Sequence, residues 1–406
     1  MIDGSKSNTR TVEAGIPQGS RLGSLLWILF VNDISENIES EILIFADDTS
    51  LFASAKDPTE TALILNRDLE KIGAWAEKWK VMFNASKSKD IIFSKKVLFN
   101  SPPVLLNNSV INRVHQHRHL GIWLSSSQDW GKQIQETCLK ANSKLAVLRS
   151  VKFLSRSTLD ILYKLTVRSI IDYGLVIYYH TLKQTEMGRL AQIQYRAAKL
   201  CTGALHYTSQ TKLEYELGWE PIEARAEFLG LCLFKKIASF ETRPLIRTCM
   251  PQFNNAKQNR ETNCFKNFPA LGRDFGNSFF PHYTKSYNKL ENKYTKCNLD
   301  DFKIEMKQKL KPKRYKHFSW GSKRGNTLLT QLRVGRSFLN SDGFKIGQVD
   351  SDLCLCQRSE TVKHYFTECF MYTEERRELF DTLEQILSKF KNLNLKEKLD
   401  LLLNGN

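Results

Sequence analysis

Two short runs of β-branched and apolar residues, Ile42 to Phe45 and Thr49 to Ala53, flank the acidic pair Asp47 and Asp48. This arrangement predicts a β-hairpin with two adjacent carboxylates at its turn. Oxygen ligands of this kind suit Mg²⁺, which often uses one or two carboxylates together with substrate phosphates. The alternative is an ordinary acidic turn, because turns favour Asp for conformational reasons alone.

A loop framed by glycine and proline lies upstream of this hairpin. It runs from Gly15 to Gly19 with the sequence GIPQG, and an apolar helix is predicted from Leu22 to Ile34. Glycine lets a backbone approach a ligand closely, and Gln18 supplies both a hydrogen-bond donor and an acceptor. The alternative interpretation is a helix-capping turn that happens to contain glutamine.

The rest of the first 124 residues alternates predicted helix and strand. Asp57 is placed to cap a helix that starts with Pro58. Apolar residues at spacings of three and four predict the buried face of that helix: Leu65, Leu69, Ile72, Ala76 and Trp79. Further strands are predicted at Ile91 to Ser94, Val104 to Leu106 and His119 to Leu124, with a turn at Asn107-Asn108. From about residue 127 helical patterns dominate, for example over 156–173 and 189–202, and another helix is predicted from about Thr373.

The net charge of +17 is concentrated in the middle of the 406 residues. It is zero for residues 1–124, +6 for 125–240, +12 for 241–330 and −1 for 331–406. A chain this basic is expected to meet a polyanion, either nucleic acid or an anionic membrane face. Within 307–320, lysines alternate with Tyr315, Phe318 and Trp320, which suits phosphates and stacked bases, although a solvated linker has the same pattern. Residues 241–330 as a whole have weak periodicity and indicate a linker or a loosely packed basic subdomain.

Several classes of protein are disfavoured by the composition. No apolar run reaches the roughly 18 residues of a membrane-spanning helix, and the first ten residues are polar, unlike a secretory signal. Nine cysteines, mostly single, argue against a disulfide framework. We therefore expect an intracellular protein, nuclear or cytoplasmic, with no membrane partner.

The C-terminal region contains a separate candidate site. Cys354 and Cys356 are followed by His364 and Cys369, a set of three thiols and one imidazole that suits tetrahedral Zn²⁺. The one-residue gap between the first two cysteines is shorter than usual, so buried thiols without metal are the alternative. Alternating histidines at 115, 117 and 119 have no thiol or carboxylate nearby, which favours a polar strand face over a metal site.

These blocks resemble the reverse transcriptase of non-LTR (LINE-type) retrotransposons, most similar to the jockey-like elements. That family shows a G-x-P-Q-G-S-x-L-G-P-L-L block, an apolar helix ending in Asn-Asp, and an aromatic-Ala-Asp-Asp turn. Here Gly15 to Leu26, Asn32-Asp33 and Phe45 to Asp48 fill those places. Later matches follow in the family's order: Trp75, Trp79 and Asn84 to Lys87, then His119 to Gly121, then Ile193 to Gly203.

The resemblance implies roles for particular residues. Asp47 and Asp48 match the pair that binds Mg²⁺ (or Mn²⁺), and Lys87 matches a lysine proposed to assist pyrophosphate departure. The residues matched to template and nucleotide contact are Gln18, Gly19 and Phe45, and those matched to the primer grip are Leu120 and Gly121. The implied partners are an RNA template, a DNA primer and dNTP, and Cys/His clusters occur near the C-termini of such proteins.

The resemblance also implies an α+β architecture. We predict a partial polymerase palm over 1–124, with an antiparallel sheet and packed helices, and an α-helical thumb over 125–240. A basic connector over 241–330 and a small Cys/His region over 331–406 follow. The family's palm has a further Asp well upstream of the Pro-Gln-Gly loop, and Asp3 lies too close to that loop to be its counterpart.

Without that Asp and the fingers, the chain resembles the C-terminal part of a polyprotein and is expected to be weak or inactive as a polymerase. The alternative is a non-catalytic nucleic-acid-binding remnant. A group II intron-type maturase is a weaker possibility.

Overall fold

The computed structural model describes residues 15, 19–94, 101–239, 249, 265–269, 273–310, 322–387 and 390–404. Gln18 and the basic and aromatic residues of 311–320 therefore lie outside the described residues. The chain divides into two compact units, Met1–Gln128 and Asp129–Asn406. The predicted domain boundaries at 124, 240 and 330 stay predictions.

In its described residues the first unit combines two helices with four two-stranded sheets. Its helices are α1 (Arg21–Phe30), which is followed by a 3₁₀ turn at Asn32–Ser35, and α2 (Pro58–Trp79). Its strands are β1 (Glu41–Phe45), β2 (Asp48–Phe52), β3 (Lys89–Asp90), β4 (Leu105–Leu106), β5 (Ser109–Val110), β6 (Asn112–Arg113), β7 (Gln116–His119) and β8 (Ile122–Ser125). The pairs β1–β2, β4–β5 and β7–β8 are antiparallel, and β3–β6 is parallel. This mixture of helix and small sheets is compatible with a partial palm.

Helix α2 forms as its sequence predicts. The Asp57 side chain accepts a hydrogen bond from the Thr59 N–H at 3.0 Å, and Pro58 occupies the first turn. The helix ends at Lys80, whose φ is 58°. The buried residues on its inner face are Ala62, Leu69, Ile72 and Ala76, whereas Trp79 at the end of the predicted face is 41% exposed.

Two of the three further strand predictions need correction. Ile91 to Ser94 forms no strand, since the local strand is the preceding pair of residues, β3. The predicted strand from His119 to Leu124 is broken into β7 and β8 by a turn at Leu120-Gly121. Both turn residues have positive φ (45° and 84°), which reverses the chain within two residues. The turn at Asn107-Asn108 is confirmed between β4 and β5, again with positive φ at both residues.

The second unit is helical in its described residues. Its helices are α3 (Gly131–Ser150), α4 (Arg156–Tyr163), α5 (Ser169–Asp172), α6 (Leu175–Tyr178), α7 (Gln184–Thr202), α8 (Gln210–Leu217), α9 (Ile222–Ser239), α10 (Arg273–Gly276), α11 (Phe279–Asn288), α12 (Asn292–Lys296), α13 (Leu299–Leu310), α14 (Lys323–Val334), α15 (Asn340–Phe344), α16 (Thr373–Ile386) and α17 (Leu395–Asn404). A π-helical segment, Lys164–Arg168, joins α4 to α5. The predicted helices over 156–173 and from Thr373 are confirmed, and α7 begins five residues before the predicted Arg189.

A large apolar core holds helices α3 to α9 together. Trp219 is fully buried and stacks on Tyr163 with ring centroids 4.1 Å apart. Gln194, which lies in the block Ile193 to Gly203 matched by the resemblance, is also fully buried. Its amide accepts from the Tyr163 hydroxyl at 2.9 Å and donates to the Glu214 carboxylate at 2.9 Å. Gln194 therefore has a structural role, because its polar atoms are all used inside the core.

The interpretation of 241–330 as a linker or loosely packed subdomain is wrong for residues 273–310. These residues form α10 to α13, and α11 and α13 pack against α9. A second buried cluster lies there and includes Phe234, Tyr283, Tyr287 and Phe302. The aromatic side chains fill this core without a regular apolar period, which is why the sequence pattern did not reveal the helices.

A buried ionic network fastens α14 to this helical unit. The Glu216 carboxylate of α8 accepts hydrogen bonds from Arg156 of α4 and from Arg333 of α14, and all three side chains are at most 4% exposed. Removing one partner would leave an uncompensated buried charge, so the network is strongly coupled. Helix α14 also runs across the predicted boundary at residue 330.

Candidate functional site

The predicted acidic hairpin is confirmed. Phe45 pairs with Asp48, so Ala46 and Asp47 form a two-residue turn between β1 and β2. Ala46 has a φ of 52°, a conformation that favours glycine at this turn position. Asp47 and Asp48 are both exposed, and among the described residues neither side chain forms an ion pair or hydrogen bond. Their oxygens are therefore open to a ligand from solvent.

The indole of Trp27 fixes this turn to α1. Its Nε1–H donates to the Ala46 carbonyl oxygen at 2.8 Å, across 19 residues of sequence. The ring of Phe30, one turn further along α1, makes edge contacts with Trp75 and Trp79 of α2, at centroid distances of 5.8 and 5.6 Å. This aromatic cluster holds α1 on α2 and thereby positions the acidic turn.

Asp33 contributes a further connection of the same kind. Its carboxylate accepts a hydrogen bond from the Trp75 Nε1–H at 2.7 Å. Asn32-Asp33 and Trp75 belong to two separate blocks of the resemblance. The structure joins these blocks through the hydrogen bond between Asp33 and the Trp75 indole. The pair fastens the segment after α1 to α2.

The hairpin β7–β8 brings histidines near the acidic turn. Burial, together with the nearby positive charges of His119 and Lys89, holds the pKa of His117 below its usual value, and Asp48 opposes this shift. Asp48, Lys89 and His117 are thus electrostatic neighbours. His117 is half-buried, and the preference for a polar strand face over a metal site stays a prediction.

Leu120 and Gly121, predicted to hold a primer terminus, form the tip of β7–β8. Leu120 is 39% exposed and has a positive φ, which is uncommon for a bulky residue. The tip therefore presents an apolar side chain to solvent at the cost of backbone strain.

The glycine loop is described in part. Gly19 has a φ of 81°, and the space where its Cβ would lie is open, so the backbone conformation requires glycine there. Ser20 caps α1 by accepting from the Gly23 N–H at 2.9 Å. The loop therefore caps α1 at this end, and the predicted contacts of Gln18 lie outside the described residues, so both interpretations of the loop stay open. Phe45 is 65% exposed at the end of β1.

Lys87 is placed by a side-chain-stabilised turn. The Asn84 amide oxygen accepts from the Lys87 N–H at 3.1 Å and from the Ser86 hydroxyl at 2.7 Å. The Lys87 side chain is exposed, and within the described part of the chain no hydrogen bond or ion pair joins it to Asp47 or Asp48. Its predicted role in pyrophosphate departure stays a prediction.

The four predicted ligands of the C-terminal region come together. Their ligand atoms all lie within 4.8 Å of one another. The sulfurs of Cys354 and Cys369 are 3.6 Å apart, and the Cys356 sulfur lies 3.0 Å from Nε2 of His364. These separations resemble the roughly 3.3–3.8 Å between ligands around tetrahedral Zn²⁺.

The surroundings of this cluster also suit a metal. Cys354, His364 and Cys369 are buried, and Cys356 is half-buried. Glu368 lies with a carboxylate oxygen 4.0 Å from Nδ1 of His364, which is too far for a hydrogen bond. All eight cysteines in the described ranges are free thiols, as expected for a chain without a disulfide framework.

Sequence reasoning missed a second cluster of possible ligands, formed by His180, Glu227 and His282. It also missed Trp27 as the residue that holds the acidic turn. Neither has a local signal, because the residues that meet are 19 to 102 positions apart. An amphipathic pattern shows which face is buried and not which distant residue meets it.

Residues 1–124 match the reverse transcriptase (RNA-dependent DNA polymerase) family. The acidic hairpin lies within this segment, and the segment is similar to reverse transcriptases of the non-LTR, LINE-type class, an enzyme family. Among the described residues, no helix is long and apolar enough to cross a membrane.

The relatives that match include the RNA-directed DNA polymerase from mobile element jockey of Drosophila funebris, which is 27% identical over 236 residues. The corresponding protein of Drosophila melanogaster is 28% identical over 229 residues. Each match covers 53% of this chain and 25% of the relative. A probable RNA-directed DNA polymerase from transposon BS of Drosophila melanogaster is 27% identical, covering 55% of this chain and 26% of the relative. This chain thus spans about a quarter of the length of these relatives, and no solved structure matches it.

Proposed function

We propose that this chain is part of the RNA-directed DNA polymerase of a non-LTR retrotransposon and that Asp47 and Asp48 are two of its metal ligands. The observation that supports this most is the exposed acidic turn held in place by Trp27. The substrates are an RNA template, a DNA primer and dNTP. The protein works inside the cell, in the nucleus or cytoplasm.

The two carboxylates fit Mg²⁺ or Mn²⁺, since no described side chain pairs with their oxygens and they lie on a turn of defined register. When bound, a pair of such ions activates the primer 3′-hydroxyl and stabilises the leaving pyrophosphate. Gln18, Gly19 and Phe45 contact the template strand and the incoming nucleotide. Lys87 assists pyrophosphate departure, and the tip formed by Leu120 and Gly121 holds the primer terminus.

Two neighbouring carboxylates alone leave each ion short of ligands, and their like charges repel. The purified chain is therefore weak or inactive in primer extension on an RNA template with dNTP and Mg²⁺. Robust cDNA synthesis by this chain alone would contradict that expectation.

Metal binding at the turn is tested separately from polymerisation. Titration with Mn²⁺, followed by electron paramagnetic resonance, should show weaker binding in the double variant Asp47→Asn, Asp48→Asn. Glu41→Gln is the matched control, because Glu41 is an exposed acid at the other end of the same hairpin. Equal Mn²⁺ affinity in the double variant and the control would refute the assignment.

The alternative function is nucleic-acid binding without catalysis, supported by the basic excess of residues 125–330. Both functions predict that affinity for nucleic acid falls steeply with salt, by a log–log slope of roughly −0.7 per phosphate contact on single strands. They differ in Asp47→Ala, which abolishes any extension activity under the first and changes nothing measurable under the second. The decisive measurement is primer extension by the unaltered chain compared with Asp47→Ala: activity that the substitution removes supports the polymerase.

We further propose that Cys354, Cys356, His364 and Cys369 bind Zn²⁺. The supporting observations are the buried positions of three ligands and the tetrahedral-like separations. Cys356→Ser should lose about one equivalent of zinc per chain by mass spectrometry, as one four-ligand site requires. Cys232→Ser, at a single half-buried thiol, is the control and should lose none. Unchanged zinc content in Cys356→Ser would exclude the site.

A further inference from the structure

A cluster of two histidines and one glutamate lies in the second unit, away from the Cys/His region. His180 lies in a 3₁₀ turn after α6, Glu227 in α9 and His282 in α11. Their ligand atoms all lie within 4.8 Å of one another. Three separate elements therefore direct one polar group each to a common point.

The distances are those of a ligand set around one ion. Nε2 of His282 lies 3.0 Å and Nε2 of His180 lies 3.5 Å from the same oxygen, Oε2 of Glu227. Ligands at about 2.0–2.1 Å from a tetrahedral Zn²⁺ lie roughly 3.3 Å apart. The side chains are 13–24% exposed, so the position between them is screened yet reachable by a water molecule.

Without an ion, His282 hydrogen-bonds to the Glu227 carboxylate, and Nε2 of His180 lies within hydrogen-bond distance of the Tyr283 hydroxyl. The two imidazole rings stack at a centroid distance of 3.6 Å with their planes 16° apart, so one ring must turn before both Nε2 lone pairs can point at one ion. A single glutamate neutralises one charged histidine, and the stacked rings would repel if both carried a proton. A divalent cation uses all three groups at once.

The packing around the cluster orients its members. The Tyr283 hydroxyl donates to the Ala226 carbonyl at 3.0 Å, and lies 3.0 Å from Nε2 of His180. Ser286 bonds to the Glu227 carboxylate. Gly230 permits this approach of α11 to α9, because a Cβ there would lie 1.8 Å from Cζ of Tyr283. The Ser286 contact is of the outer kind that fixes ligand orientation in metal sites, whereas an ion on Nε2 of His180 would displace the Tyr283 hydroxyl from that nitrogen.

We propose that His180, Glu227 and His282 bind a divalent transition-metal ion, with Zn²⁺ the best fit. Two imidazoles and one carboxylate are typical of three-ligand zinc sites in which water occupies the fourth position. The ion would join α11 to α9 and to the turn after α6. This site does not depend on the polymerase function proposed above.

Co²⁺ is the probe for the experiment, because its absorption separates this site from the C-terminal cysteines. Thiolate ligands add charge-transfer bands, and a site of imidazole and carboxylate has none. In the full chain carrying Cys356→Ser and Cys369→Ser, we expect about one equivalent of Co²⁺ to bind without such bands. Absence of any such binding in this folded background would overturn the proposal.

Two variants test the ligands themselves. His282→Gln and Glu227→Gln retain hydrogen-bonding groups but are poor ligands, and each should weaken Co²⁺ binding by roughly 100-fold or more, since losing even an outer contact costs about 10–100-fold. His206→Gln is the control, because His206 is an exposed histidine of the same unit. Equal affinity in His282→Gln and His206→Gln would overturn the proposal.

If the chain with Cys356→Ser and Cys369→Ser does not fold, a second measurement tests the same site. In the chain with all its cysteines, His282→Gln should remove the Co²⁺ absorption that lacks charge-transfer bands and leave the thiolate bands unchanged. Loss of neither component would count against the site. Circular dichroism of each variant verifies that the helices are intact.

Discussion

The carboxylate of Asp68 illustrates how one residue of α2 positions the acidic hairpin. It is fully buried and accepts hydrogen bonds from the backbone N–H groups of Glu39 and Ser40, directly before β1, at 2.7 to 3.1 Å. Burial alone would raise the pKa of Asp68, but the hydrogen bonds from Ser40, Glu39 and Lys71 outweigh it and lower the pKa below 3.8.

Asp68→Asn should lower the free energy of unfolding by about 1–3 kcal/mol near neutral pH, because one of the two carboxylate oxygens that accept from the Glu39 and Ser40 N–H groups becomes an amide NH₂. Since the folded-state pKa is the lower one, the contribution is present above pH 3.8 and is lost as the pH falls through the folded-state value. The difference in the free energy of unfolding between the unaltered chain and Asp68→Asn should therefore become smaller at acid pH. Urea unfolding at neutral and acid pH measures it, with exposed Glu70→Gln as control. A pH-independent difference would contradict the assignment.

Trp27 is a second single residue that holds the acidic turn, through its hydrogen bond to the Ala46 carbonyl. Trp27→Phe retains a ring against Phe30 but removes the donor to the Ala46 carbonyl. We expect a loss of about 0.5–1.5 kcal/mol and faster hydrogen exchange in residues 41–52. Trp79→Phe keeps a ring against Phe30, and the Trp79 indole has no hydrogen bond within the described part of the chain, so this variant should leave that exchange unchanged. Equal exchange in both variants would mean that Trp27 does not hold the turn.

At the scale of elements, the contact between α9 and α11 depends on one glycine. Gly230→Ala would place a methyl group 1.8 Å from Cζ of Tyr283, so the helices must separate. The expected cost is about 1–3 kcal/mol or more, as for other overpacked sites. Gly188→Ala is a matched control in α7, because no atom lies within 4 Å of its added Cβ. That variant should gain about 0.5–1 kcal/mol.

If α11 lies as close to α9 as described, the unfolding temperature should fall in Gly230→Ala and rise in Gly188→Ala. A stable Gly230→Ala chain would show that α11 does not lie against α9 as described. The same variant would also displace His282 from Glu227, which lies one helical turn before Gly230.

At the scale of the whole molecule, α1 leaves much of its apolar surface exposed. Gly23 is its one fully buried residue, and five large side chains are 42–64% exposed: Leu22, Leu25, Leu26, Ile28 and Leu29. A contiguous apolar surface of this kind promotes association. The purified chain should therefore self-associate in sedimentation experiments and bind a hydrophobic dye.

Leu25→Gln with Leu29→Gln should reduce both effects. The control is Leu139→Gln with Val147→Gln, because these residues of α3 are equally exposed. A chain that stays monomeric and binds no dye before any substitution would show that this surface is covered in solution.

Much of the local structure could be predicted because its causes lie close together in the sequence. Asp57 and Pro58 start α2, the acidic pair closes a two-residue turn, and Cys354 to Cys369 spans few enough residues for the ligands to meet. Predictions failed where the strand at His119 to Leu124 had to reverse and where 273–310 folded on aromatic contacts.

The sequence by itself therefore determined the acidic turn, the cap of α2 and the order of the blocks that resemble a reverse transcriptase. The tertiary structure alone decided that Trp27 would hold that turn and that His180, Glu227 and His282 would converge. The physical reason is range: capping and turn preferences act within a few residues, whereas packing of helices selects partners that no local pattern contains.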